Sequence, residues 1–373
     1  MKITKVEAIP LRIPDLDGTR ADGIQDDVIV RVHTDTGITG IGEADASPEV
    51  VKALVDAPVS WARSQGLAGM LIGENPLHTE RLWDKMYQGT LWMGRGGVTI
   101  EAISAVDIAL WDIKGKALGL PVHTLLGGAR RDSISLYASM LFEKDLGLMR
   151  ERAQRHVAEG YRAVKFGWGP MGPDLATDVA LVRTAREAIG DAALLVDAGA
   201  PWTAREAIRR VDAFQEYRPF WLEEALASDD LPGWARLTSA ARGMRIATGE
   251  QETLAGAFRA LLEVGHVDVI QPDLARAGGF TQCRRIADLA VANHALCVPH
   301  AWKSGILVAA SLHFAATLAD IPFVEYTVAP SPLRRDLIRT DVQVANGIAR
   351  IPQTPGLGLE VNDEILQRYR VDL

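Results

Sequence analysis

Three acids in this chain stand at intervals that suit a metal centre. Asp197 closes the run Leu-Leu-Val-Asp, Glu223 and Glu224 close Phe-Trp-Leu-Glu-Glu, and Glu250 closes Ile-Ala-Thr-Gly-Glu. Asp197 and Glu223 are 26 residues apart, and Glu223 and Glu250 are 27 apart. Each interval is the length of one strand, one helix and their connections. Carboxylates set on neighbouring strands repel one another unless a cation joins them. Three carboxylate oxygens plus water suit a hard ion such as Mg²⁺, with Mn²⁺ as a substitute. Spacing alone leaves open whether Glu223 or Glu224 faces the ion, because side chains alternate along a strand.

A second group carries acid–base potential. Asp273 ends Gln-Pro-Asp and His300 ends Val-Pro-His, one further interval apart. A carboxylate beside an imidazole fixes its tautomer and raises its basicity, which makes His300 a candidate general base. Lys165, inside Ala-Val-Lys-Phe-Gly, is placed to neutralise a substrate carboxylate or a developing oxyanion. Glu325, inside Phe-Val-Glu-Tyr, is placed to donate a hydrogen bond to such an oxygen if its pKa is raised. A cation, a lysine and a His–Asp base together would remove a proton from the carbon next to a carboxylate.

The elements that must hold these residues follow from the apolar pattern. Eight short runs alternate with helical patterns from about Ser133 onward: Ile134–Ala138, Ala163–Gly167, Leu194–Asp197, Phe220–Glu223, Arg245–Gly249, Val267–Gln271, Ala295–Pro299 and Phe323–Tyr326. Eight such units predict a (β/α)₈ barrel, imperfect at its ends, with chemistry at the C-terminal ends of the strands. The rival open sheet lacks a G-x-G-x-x-G turn after its first strand.

The first 125 residues read differently. Ile3–Ile9, Asp27–Thr34 and Ile38–Glu43 predict strands, the last two joined by the turn Asp35-Thr36-Gly37. Helical patterns follow, ending in a periodic helix over Thr99–Leu118 that Gly119 and Pro121 stop. The expected organisation is an α+β capping domain at 1–125, a barrel at 126–328, and a segment at 329–373 that packs back on the cap. Pro14–Gln25, rich in Asp and Gly, reads as a mobile loop.

Bulk properties narrow the classes. The 373 residues carry a net charge of −8 and no Lys/Arg block, which argues against nucleic acid or an anionic membrane surface as partner. No run of 18 apolar residues occurs, and the N-terminus lacks a signal-like apolar core, so the cytoplasm is the expected compartment. Cys283 and Cys297 read as reduced core thiols.

These residues together resemble the enolase superfamily, in its mandelate racemase subgroup. The resemblance rests on Ala109-Leu110-Trp111-Asp112-Ile113-Lys114-Gly115-Lys116, Leu125-Leu126-Gly127-Gly128, Val196-Asp197, Trp221-Leu222-Glu223-Glu224, Thr248-Gly249-Glu250, Gln271-Pro272-Asp273-Leu274 with Gly278-Gly279, and Val298-Pro299-His300. It implies a modified TIM barrel of (β/α)7β or (β/α)8 type, with Asp197, Glu223 and Glu250 as ligands of one Mg²⁺ per subunit. It also implies Asp273–His300 as the dyad and Glu325 as the hydrogen-bonding acid. The subgroup usually carries Lys-x-Lys on its second barrel strand, whereas this chain has Lys165-Phe166-Gly167. Racemisation needs a base on each face of the substrate, so the missing second lysine points away from it.

The resemblance therefore implies a carbon–oxygen lyase, an acid-sugar dehydratase giving a 2-keto-3-deoxy acid with His300 as the single base and acid. A cycloisomerase of an acid-sugar lactone or anhydro sugar is the alternative, and a non-catalytic metal-binding barrel a further one. Trp302 and Lys303 are candidate substrate contacts beside Lys165 and Glu325. Lys303 is a candidate cation or replacement base. Arg20, with Asp15, Asp17 and Asp22, is a candidate sugar contact in the loop that would close over the barrel mouth. A homo-oligomer with an even number of subunits is also implied.

Overall fold

The computed structural model describes residues 1–18, 23–339 and 342–372. The chain opens with β1 (Ile3–Arg12), β2 (Asp26–Thr34) and β3 (Thr39–Ala44), an antiparallel sheet in the order β1-β2-β3. One face of this sheet buries Val6, Val28, Val30 and Val32. The helices α1 (Pro48–Asp56), α2 (Leu67–Leu71), α3 (Thr79–Gly89) and α4 (Val98–Leu118) follow. α4 is apolar around nearly its whole circumference because it is enclosed: β3, α1 and α3 lie against it from the cap, and a barrel helix from the other side. Gly119, left-handed at φ +68°, stops it.

A short α5 (Val122–Leu125) leads into the barrel. Its strands are β4 (Ser133–Leu141), β5 (Ala163–Gly167), β6 (Ala193–Asp197), β7 (Trp221–Glu223), β8 (Arg245–Thr248), β9 (Val269–Ile270), β10 (Leu296–Cys297) and β11 (Val324–Thr327). The helices between them are α6 (Leu146–Ala158), α7 (Leu175–Ile189), α8 (Ala204–Phe214), α9 (Leu231–Ala240), α10 (Leu254–Glu263), α11 (Gly279–Ala292) and α12 (Gly305–Thr317). Neighbouring strands from β4 to β10 pair in parallel, and β11 returns to pair in parallel with β4. Among the described residues no ladder joins β10 to β11, so the expected imperfection lies there. The strands read as unbroken apolar runs because both faces are covered, the inner by the barrel core and the outer by helices.

After β11 come α13 (Pro332–Arg335), the hairpin β12 (Val344–Ala345) and β13 (Ile348–Arg350), and α14 (Asp363–Tyr369). β13 pairs antiparallel with the start of β4. Leu357 N–H donates to Asp112 Oδ1 in α4 (2.9 Å), and Val371 N–H donates to the Pro10 carbonyl (2.9 Å). The tail thus touches both the barrel and the first sheet. Cys283 and Cys297 are buried free thiols. No helix among the described residues is long and apolar enough to cross a membrane.

Candidate active site

The barrel register sets the acids at one height. Gly167, Asp197 and Glu223 are successive partners across β5, β6 and β7. Glu250 arrives differently from the expected strand end: β8 stops at Thr248, and Gly249, at φ +122°, turns the chain so that Glu250 reaches the same point. One carboxylate oxygen from each of Asp197, Glu223 and Glu250 lies within 4.8 Å of the others, and all three residues are buried. Glu224 points elsewhere. It accepts from Thr248 Oγ1 (2.6 Å), Gly249 N–H (2.9 Å) and Gln251 Nε2 (3.2 Å), which leaves Glu223 as the inward-facing member of the pair.

Burial, then the Glu223 charge, pushes the Asp197 carboxyl well above the usual carboxylate range. Burial also raises Glu223, with Glu325 and Glu250 adding to it against the pull of Lys165. Within 4.0 Å the positive partners of these three acids among the described residues are Lys165 and His300. A hard divalent cation fits this donor set of three buried, mutually repelling oxygens. A second group that could chelate, Asp45 with Asp273 and His300, is less suited. Asp45 is already neutralised by Arg276 (2.7 Å) and Lys303 (3.5 Å).

Lys165 Nζ donates to Glu223 Oε1 (2.5 Å) and lies 2.9 Å from Glu325 Oε1 and 3.6 Å from Asp197 Oδ2. Burial works against its charge, but Glu223 and Glu325 more than offset that and hold its pKa well above the ordinary lysine value. Glu325 is buried beside this lysine. Burial would raise it, yet Lys165 and His300 bring it down to about 2. Its oxygens accept from Ser139 Oγ (2.7 Å) and Ala301 N–H (2.8 Å) as well as Lys165. Glu325 thus accepts from Ser139 and Ala301 and pairs with Lys165.

Asp273 and His300 meet as expected. They form a parallel bridge that extends the β9–β10 register, and His300 Nδ1 lies 2.6 Å from Asp273 Oδ2. The other oxygen of Asp273 accepts from Ala275 N–H (2.6 Å), which fixes the carboxylate. His300 Nε2 then faces Glu250 Oε2 at 3.5 Å and Glu325 Oε2 at 3.7 Å. Burial disfavours the imidazolium, but Glu250, Glu325 and Asp273 outweigh it and raise its pKa to about 10. A cation sharing Glu250 would weaken the first of those attractions and move His300 back toward the range of a useful base.

These groups line a cavity of about 190 Å³. Part of its wall is formed by the ends of β4 and β5 and the residue after β5. A Cβ on Gly167 would lie 2.9 Å from Asp197 Oδ2, so this backbone is pressed against the acid cluster. Trp168, held at φ +53°, follows and also lines the cavity. Among the described residues lining that part of the wall, Ser139, Met140, Leu141, Lys165, Gly167 and Trp168, the basic side chain is Lys165, which Glu223 and Glu325 hold.

The first domain completes the cavity, and here the sequence was least informative. Asp45, just past β3, and Arg276, three residues beyond Asp273, both line it. Arg276 also donates to the Glu250 carbonyl (3.1 Å). Neither closes a strand, and no spacing ties residue 45 to residue 276. Trp302 and Lys303 line the cavity, and Lys303 is engaged by the cap. Its Nζ donates to the carbonyls of Gly23 (2.6 Å) and Asp26 (3.2 Å). Burial lowers its pKa, yet Asp45, Asp27 and Asp26 raise it on balance, so Lys303 stays a cation that ties the barrel to the cap. The loop expected to be mobile is pinned at its base by Ile13 N–H to Gln25 O (2.9 Å) and Asp17 N–H to Gln25 Oε1 (2.7 Å). Arg20 and Asp22 lie outside the described residues.

Known proteins resemble this chain along most of its length. A family model described as mandelate racemase / muconate lactonizing enzyme, N-terminal domain, matches residues 5–127, and one described as enolase C-terminal domain-like matches residues 148–365. The chain is 34% identical to the D-galactarolactone cycloisomerase of Agrobacterium fabrum, over 92% of this chain and 91% of that protein. It is 33% identical to the L-rhamnonate dehydratase of Saccharopolyspora erythraea, over 92% and 85%. The crystal structure of the 3,6-anhydro-D-galactonate cycloisomerase from Zobellia galactanivorans superposes over 100% of both chains with a TM-score of 0.91 at 33% identity. The chain belongs to the mandelate racemase / muconate lactonizing enzyme family of the enolase superfamily, with its capping domain and TIM barrel.

Proposed function

We propose that this enzyme is a Mg²⁺-dependent acid-sugar dehydratase that works from one face of its substrate. The observation that carries the reading is the asymmetry of the cavity. An imidazole oriented by Asp273 stands past the end of β10, and where a second base would stand on β5 the chain has Gly167, leaving Lys165, held by Glu223 and Glu325, as the basic side chain of that strand. Asp197, Glu223 and Glu250 would hold the ion, with Mn²⁺ as a substitute. When bound, the ion would draw charge from the substrate carboxylate and so acidify the neighbouring carbon.

Lys165, fixed by Glu223 and Glu325, supplies a second positive charge where the carboxylate gathers electron density. His300 Nε2 takes the α-proton. The electron pair left behind forms the α–β double bond as the β-hydroxyl leaves, and His300 returns its proton to that oxygen, releasing water. The resulting enol becomes the 2-keto-3-deoxy acid by gaining a proton at the β-carbon and losing one from its oxygen. One base serves both proton transfers if the α-hydrogen and the hydroxyl share a face.

A second reading, cycloisomerisation, has support from the Agrobacterium and Zobellia relatives, whose names describe ring substrates. The same proton abstraction would then expel a ring oxygen instead of a hydroxyl. Incubating the enzyme and Mg²⁺ with stereoisomeric aldonates, aldarates and their lactones separates the two by product mass. Dehydration removes one water, and cycloisomerisation keeps the formula. Chelation should abolish either reaction and restored Mg²⁺ should return it. A full panel that shows neither product nor α-hydrogen exchange in D₂O defeats both readings.

A further inference from the structure

Away from the catalytic mouth, a second cavity of about 430 Å³ opens between the C-terminal end of α6 and the segment that follows β11. Its cations are Arg155, Arg334 and Arg335, with the imidazole of His156 beside them. Arg334 is buried, at 7% exposure, with its guanidinium 4.2 Å over the Tyr326 ring. Among the described residues its Nε and Nη2 have no hydrogen-bond partner, and no carboxylate lies within 4.0 Å of Arg334, Arg155 or Arg335. The acid on this wall, Glu159, is engaged by His156 Nδ1 at 2.9 Å. Arg152 at the neighbouring opening is likewise paired, with Glu143.

A buried guanidinium without a counter-charge is costly, and proteins resolve that cost by pairing it. Here one uncompensated guanidinium forms the floor, and two exposed ones stand at the rim. The geometry points to a binding site for a small oxyanion, a phosphate or carboxylate group, at Arg334 with Arg155 and Arg335 as the rim. A further cavity of about 390 Å³ shares Arg155 and Arg335 with this one and reaches Met140 and Leu141, which also line the catalytic cavity. An organic anion larger than phosphate therefore has room to extend. The site is separate from the acid cluster and does not depend on the proposed reaction.

Calorimetric titration of the full-length, chelator-treated protein with inorganic phosphate tests this, since chelation removes any cation that could hold phosphate in the catalytic cavity. Citrate and acetate serve as carboxylate arms that separate the two sources of the anion. Saturable binding is expected, weakened about tenfold or more in Arg334→Gln, as loss of a charge-assisted contact implies. The exposed pair Arg155→Gln/Arg335→Gln, which cannot disturb the core, should weaken it by a similar factor and leave turnover unchanged. Equal affinity in all three proteins overturns the site, and so does the absence of saturable binding by any of the three anions. A changed oligomeric state of the rim variant on gel filtration, with anion affinity unaltered, would also overturn it, because the arginines would then be pairing with a second copy of the chain.

Discussion

His300 and the metal-candidate acids share Glu250, whose carboxylate lies 3.5 Å from Nε2. Base and cation site are thus one electrostatic unit, and a change in either is felt by the other. His300→Asn keeps the side-chain size but cannot carry a proton between carbon and oxygen. Turnover should fall by about a thousandfold, within the range for losing general acid–base catalysis, while Mg²⁺ titration stays saturable. Retention of near-normal turnover in that variant would remove His300 from the mechanism. Gly167→Lys tests the opposite wall. A lysine there restores the subgroup's second base on paper, but its Cβ would press on Asp197 at 2.9 Å. The expected outcome is about tenfold weaker Mg²⁺ affinity and no gain of racemisation. Racemisation of an acid sugar by this variant, followed by polarimetry, would show that the backbone yields more than the contact implies.

At the scale of elements, the cap is fastened to the barrel through helix starts. Glu43 of β3 accepts from Ser304 N–H (2.8 Å), Ser304 Oγ (2.8 Å) and Leu307 N–H (2.9 Å) at the beginning of α12. Asp107 of α4 does the same for α11, accepting from Thr281 N–H (3.0 Å) and Oγ1 (2.6 Å). Gly279 at the start of α11 leaves room for this, since a Cβ there would lie 2.3 Å from Asp107 Oδ2. Glu43→Ala should cost about 2 kcal/mol of stability, visible as a lower thermal midpoint, because buried N–H groups lose their acceptor. An unshifted midpoint would mean that α12 finds another cap.

Contacts of this kind explain what could and could not be read in advance. The strand runs, α4 and the acids that close β6 and β7 carry their own local signals, so Asp197, Glu223, Asp273 and His300 were legible from spacing. Asp45 and Arg276 were not, because their roles arise only where the two domains meet. The ion pair of Glu325 with Lys165 was not legible either, because it depends on side-chain geometry that spacing does not contain. β9 and β10 form ladders of only two residues, shorter than their apolar runs, and a proline, which has no N–H to give a ladder, stands two residues past the end of each.

On the scale of the whole molecule, the junction of α5, α12 and the tail holds two stacked histidines, His123 and His313, with ring centroids 5.3 Å apart. Burial, and then the proximity of His123, holds His313 down at about 3, far below the ordinary value of 6.5. The folded chain therefore resists protonation there, while the unfolded chain accepts a proton below about pH 6.5. The stability this neutral imidazole contributes is present above that pH and is lost progressively as pH falls from about 6.5 toward 3. Between pH 7 and pH 5 the loss from this one group is about 2 kcal/mol. Urea denaturation of wild type and His313→Asn at the two pH values should show a smaller pH difference in the variant. An equal difference would assign the acid sensitivity elsewhere.

The pairing of Glu43 with α12, and of Lys303 with Gly23 and Asp26, bears on how such enzymes can be recombined. A barrel given the capping domain of a relative, in the hope of transferring its substrate preference, would receive a new set of contacts over its mouth. It would also exchange the carboxylate that starts one of its own helices and the carbonyls that hold one of its cavity cations. Exchanges that carry residues 23, 26, 43 and 45 together with 276, 303 and 304 should assemble, whereas those that cut between these groups should yield soluble caps on frayed barrels.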